Sequence, residues 1–141
     1  MGRWAVLWLA AAVAAVAALA LPACGGDDDG AGGDAGGSGG GTVPDDVVAI
    51  DDDPAEVDAL DNSFDAPAIR VPAGTTVRWT NAGQQDHDVV PAGGDGWGVE
   101  ADGFHPGNVY EHTFDEPGAY GYYCTIHGTA DRGMIGVVVV E

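Results

Sequence analysis

From residue 47 onward, short apolar runs alternate with Gly, Pro and Asp breaks. Apolar residues do not recur there at the three-and-four spacing of a helix; they alternate by two, the period of a strand with one buried face. Val57-Asp58-Ala59-Leu60-Asp61 alternates, and Ala68-Ile69-Arg70-Val71 runs into a Pro72-Ala73-Gly74 turn. Residues 75–81 alternate again, which puts Thr75, Val77 and Trp79 on one face. Residues 87–90 predict a short strand. Residues 109–114 predict another, with Tyr110, His112 and Phe114 sharing a face. In 119–124 the shared face carries Tyr120, Tyr122 and Cys124, and 135–140 is a final β-branched strand. Residues 47–50 predict an early edge strand that Asp51-Asp52-Asp53-Pro54 ends. Short strands separated by Gly and Pro turns predict an all-β sandwich. Residues 91–107 form a Gly-rich loop, the place for any short helix.

The N-terminus follows a different pattern. Met1-Gly2-Arg3 is positively charged, residues 5–21 are an unbroken apolar run, and Leu21-Pro22-Ala23-Cys24 follows. That order is a secretory signal. The last four residues resemble a bacterial lipobox, which implies cleavage before Cys24 and lipid on its sulfur. A retained membrane anchor is the alternative, although the run is short for a span. Gly, Asp, Ala and Ser dominate residues 25–46, which have almost nothing to bury and predict a disordered linker. The predicted organisation is a signal at 1–23, a linker at 24–46 and a folded domain at 47–141. Either reading of the N-terminus tethers that domain outside the cytoplasm, at the outer face of a membrane.

Charge narrows the partners. The chain of 141 residues holds 4 Lys+Arg against 23 Asp+Glu, for a formal charge of -19. None of the basic residues is lysine. Nucleic acid needs clustered basic residues, so it is excluded as a partner. A basic protein surface, or simple solubility, fits this balance.

Candidate chemistry concentrates near the C-terminus. Tyr122-Tyr123-Cys124-Thr125-Ile126-His127 leads through residues 128–133 to Met134. A thiolate, an imidazole and a thioether are soft or borderline donors, which favour copper over magnesium or calcium. His87 is the fourth candidate. Two His, one Cys and a weak axial Met are the donor set of a blue-copper electron-transfer centre. The two cysteines, Cys24 and Cys124, could pair in an exported protein. Lipidation of Cys24 and metal ligation of Cys124 explain each one separately. A free thiol outside the cytoplasm would otherwise oxidise. His105 lies in a loop, and His112 shares a face with aromatics, so both read as packed or hydrogen-bonded. Trp79 and Trp97 read as packing residues. Tyr123 points off the core face, either as part of a docking surface or as a plain edge residue.

An early His, then Cys-x2-His and Met after a Gly-x-Tyr-x-Tyr-x-Cys strand, resembles the cupredoxins, in particular the plastocyanin, amicyanin and halocyanin-like proteins. The resemblance covers residues 57–141. It implies a Greek-key β-sandwich with one type 1 copper held by His87, Cys124, His127 and axial Met134. It implies coordination through Nδ1 of both histidines, with the outer edge of His127 as the electron port. The protein would be a non-enzymatic, monomeric carrier of single electrons between redox proteins at the membrane surface. Two departures stand out. Asp88 follows the first His where Asn or Ser is usual, and a nearby carboxylate should favour Cu(II). Six residues separate His127 from Met134, a longer spacing than in plastocyanins or amicyanins. Asn81 is a second candidate for bracing the ligand loops. Copper storage or delivery is the alternative function. A copper oxidase or nitrite reductase would need several more histidines, and a metal-free assembly module would have lost its ligands.

Overall fold

A computed structural model describes residues 43–94 and 96–141. The predicted signal, Cys24 and the linker up to residue 42 lie outside the described residues. The strands are β1 (Val48–Ala49), β2 (Ala55–Ala59), β3 (Phe64–Asp65), β4 (Ala68–Val71), β5 (Thr75–Asn81), β6 (Val90–Pro91), β7 (Val109–Phe114), β8 (Gly118–Thr129) and β9 (Arg132–Val140). A 3₁₀ turn at Ala101–Gly103 lies in the Gly-rich stretch between β6 and β7. Two sheets form, in the orders β1-β4-β9-β8-β6 and β3-β2-β5-β7. Only β2–β3 and β8–β9 are hairpins within one sheet; every other connection crosses between the sheets. The crossings make β1·β4, β4·β9 and β2·β5 parallel.

The alternation seen in the sequence is the reason the layers close. On β5, Thr75, Val77, Trp79 and Asn81 all point inward and are buried. Ala55, Val57 and Ala59 of β2 lie beside them, and Ile69, Val71, Val138 and Val140 face them from the other sheet. Trp79 is central. It stacks on Trp97 and Tyr110 at ring separations of 5.8 and 5.6 Å, and meets Phe114 and Tyr122 edge-on. Trp79 and Trp97 are thus packing residues, and Trp97 also closes over His112. Burying a large apolar side chain contributes about 1.5–3 kcal/mol, so this cluster is a principal source of stability.

Five elements differ from the pattern-based expectation. β2 covers 55–59 rather than 57–61, because its parallel pairing starts at Ala55↔Val77 and the chain turns at Leu60, whose N–H bonds Ser63 O. The short β3 carried no pattern signal. Of the expected strand at 87–90, only Val90 joins β6; His87 and Asp88 are loop, and Val89 makes an isolated bridge to Val99. The last two strands are longer than predicted. They continue as a hairpin through Gly128↔Gly133 and Thr129↔Arg132, with a register break between Tyr123 and Gly128. The tip has no apolar alternation because neither face of it meets the core.

Candidate metal centre

The site lies at the end of the sandwich where β2 and β5 terminate. Asn81 ends β5 and replaces strand pairing with side-chain bonds. Its Nδ2 donates to the carbonyls of Gln85 (2.9 Å) and Phe104 (2.8 Å), and its Oδ1 accepts the Gly83 N–H (3.1 Å). The N–H groups of Ala82 and Gly83 both donate to Ala59 O at the end of β2. The loop that follows is therefore held from two sides, and it delivers His87 fully buried. From the other sheet, the alternation of β8 carries Cys124 inward on the same face as Tyr122, and the register break there lets His127 come up behind it.

Three sequence-predicted residues meet here. Donor atoms of His87, Cys124 and His127 lie within 4.8 Å of one another, and this is the only such cluster among the described residues. Cys124 Sγ is 3.6 Å from His87 Nδ1 and 3.7 Å from His127 Nδ1. Metal bonds of roughly 2.0–2.3 Å in a trigonal plane would separate three donors by about 3.6 Å. The spacing and the donor chemistry therefore both fit a copper ion. Met134 points inward from β9, fully buried in the same cluster as Cys124.

Asp88 is buried and spans the two ligand segments. Its Oδ1 accepts the Thr125 N–H at 2.7 Å, and its Oδ2 accepts the Thr125 hydroxyl. The residue after the first histidine is thus tied to the residue after the cysteine. Sequence reasoning singled out Asp88 but not Thr125, since the pairing joins positions 37 apart.

Burial sets the protonation preferences. It pushes the Cys124 thiol up, and the backbone amides of Asp88, Ile126 and His127 act against it. Burial also lowers His87, and the neighbouring His127 works in the same direction. A neutral His87 is the form that can ligate a metal. The other two histidines are engaged elsewhere. His105 Nδ1 pairs with Asp86 at 2.8 Å, which raises its pKa. His112 stacks on Trp97 with ring centroids 5.5 Å apart, and burial lowers its pKa. Cys124 is a free thiol.

A plastocyanin from Tetradesmus obliquus is 38% identical over 86 residues, spanning 55% of this chain and 58% of that protein. A halocyanin from Natronomonas pharaonis is 41% identical over 81 residues, or 56% of this chain and 48% of that protein. The chain thus spans about half the length of these relatives. Among solved structures, a reduced amicyanin variant superposes with a TM-score of 0.54 at 29% identity, over 65% of this chain and 86% of that one. A copper-containing nitrite reductase from Thermus scotoductus SA-01 gives a TM-score of 0.57 at 26% identity, over 67% of this chain and 28% of that one. The family model for copper binding proteins of the plastocyanin/azurin family matches residues 53–141. By fold, by donor chemistry and by this match, the chain belongs to the plastocyanin/azurin family of copper binding proteins.

Proposed function

We propose that the protein carries single electrons through one type 1 copper, held by His87, Cys124 and His127 with Met134 as the weak axial donor. The convergence of one thiol and two imidazoles at the end of a rigid sandwich carries this reading. Copper bound by that donor set changes oxidation state by one electron without forming a bond to a substrate. The chain's own residues do the rest. The ends of β5 and β8 hold the donors, and Asn81 and Asp88 brace the segments that bear them. Burial keeps water from Cys124, while the half-buried His127 offers a route for the electron to a partner. Asp88, so close to the thiolate, biases the site toward Cu(II). We read the protein as a carrier rather than an enzyme, since Asp86 occupies His105 and Trp97 covers His112.

We infer a lipoprotein signal at 1–23, lipid on Cys24, a Gly/Asp-rich linker at 24–46 and the copper domain at 47–141. The domain would work as a monomer at the outer face of the cell membrane. Its partners would be redox proteins with basic docking surfaces.

The test is to add one equivalent of Cu(II) to the purified protein and record visible absorption and electron paramagnetic resonance. The expected result is an intense thiolate-to-copper band with narrow hyperfine splitting, both lost in Cys124→Ala. A pale, widely split signal that survives Cys124→Ala would overturn the reading.

A further inference from the structure

The loop bonds leave one edge of His87 unbraced. Its Nδ1 faces Cys124, while its Nε2 is buried and has no hydrogen-bond partner. Buried side-chain polar atoms in this state are few; among the described residues, Trp79 Nε1 and the Tyr122 hydroxyl are the others. A buried N–H left without a partner is destabilising. Metal-ligating histidines generally donate their second N–H to a carboxylate, a carbonyl or water.

Gly83 shows what stands nearby. A Cβ at that position would lie 3.1 Å from His87 Nε2 and 2.8 Å from Asp61 Oδ1. It would also lie 3.2 Å from the Asp61 backbone nitrogen. The imidazole edge and the carboxylate thus border one small polar gap, which stays open because residue 83 has no side chain. Asp61 sits in the turn after β2, and its Oδ1 already accepts the Gln84 N–H at 2.6 Å. Its second oxygen is free to accept. Among the aspartates that favour positive charge on His87, Asp61 acts more strongly than Asp88 or Asp86.

We propose that Asp61 is a positioning residue for His87, its carboxylate accepting the Nε2–H through one water beside Gly83. This rests on the copper reading for its consequence, though not for its geometry. Donation from Nε2 fixes the tautomer that leaves Nδ1 bare toward Cys124. It also makes the imidazole a stronger donor, which stabilises Cu(II) relative to Cu(I).

Asp61→Asn isolates this role. The amide oxygen can keep the Gln84 bond, but the NH₂ that replaces the second oxygen cannot accept from that water. The first readout is the ring ¹⁵N spectrum of the metal-free protein at neutral pH, which needs no copper. The native protein should carry the His87 proton on Nε2, with slow exchange, and Asp61→Asn should shift the tautomer balance toward Nδ1–H. In the copper-loaded protein, Asp61→Asn should weaken Cu(II) binding about 10–100-fold and raise the reduction potential. Gly83→Ala, which puts a methyl group into the gap, should move the tautomer and the potential in the same direction. A native His87 protonated on Nδ1 would overturn the proposal. So would an Asp61→Asn protein whose tautomer, affinity and potential match the native ones. Failure of the native protein to form a blue centre would instead strike at the copper reading, and the tautomer result would stand apart from it.

Discussion

Asn81 does with one side chain what a strand would need several residues to do. It satisfies two carbonyls and one amide within a loop that has no regular pairing, and it is itself buried. Asn81→Ala would strip the Gln85 carbonyl of its partner, while the Phe104 carbonyl keeps the His87 N–H and the Gly83 N–H keeps the Ala59 carbonyl, so one group is orphaned, at about 1–3 kcal/mol if it stays dry. The metal-free protein should lose about 1–3 kcal/mol, read from the midpoint of denaturant unfolding. The ligand candidates at this scale were legible because their chemistry is rare: a thiol, an imidazole and a thioether within eleven residues have few other readings. Their partners were not. Thr125 and Asp61 are common residue types, and what defines them is a contact with a distant part of the chain.

The hairpin of β8 and β9 has a narrow waist. Gly128 and Gly133 face each other there, and Gly133 has φ of 88°. A Cβ on Gly133 would lie 2.8 Å from Gly128 Cα, besides meeting the carbonyl of His127. Gly74 offers the control, since its φ is 86° but a Cβ there would meet open space. Gly74→Ala should therefore cost only the left-handed backbone term, about 1–2 kcal/mol. Gly133→Ala should cost more, and it should also perturb the copper spectrum, because the collision lies between His127 and Met134. Thermal melts and absorption spectra of the two variants would check this contrast. Strands with one dry face, such as β5, were legible from their alternation. The hairpin tip and the two-residue strands β3 and β6 were not, because too few of their side chains meet the core to leave a period.

Over the whole molecule, acid dominates. Arg70 is neutralised by Glu141, and Arg78 by Glu56 and Glu111, so among the described residues Arg132 at the hairpin tip is the arginine without an ion pair. The histidines add a pH dependence with a definite sign. Burial holds His112 below its ordinary value near 6.5, as it does His87. The unfolded chain therefore takes up these protons first, so their contribution is complete above about pH 6.5 and is lost as pH falls toward the folded values. The exposed His105–Asp86 pair has the opposite sign, but solvent screens it. The metal-free protein should melt at progressively lower temperature as pH drops below about 6.5, and less steeply in His112→Phe. A melting temperature that is flat between pH 7 and 5 would contradict this.

The ligand hairpin is not an appendage. Its strands are the two that run side by side through the interior of the larger sheet, with β4 beyond one and β6 beyond the other. A loop that frays on its own would let a bound ion escape on the timescale of local opening. Here the ligand segment grows out of the stretch where β8 pairs with β6 and β9 with β4, and Gly128↔Gly133 and Thr129↔Arg132 close its far end, so separating Cys124 and His127 from Met134 means opening a hairpin rooted in the sheet interior. The residence time of copper would then be governed by how often that hairpin opens rather than by the strength of any single bond. A metal held in this way leaves no faster than its hairpin opens.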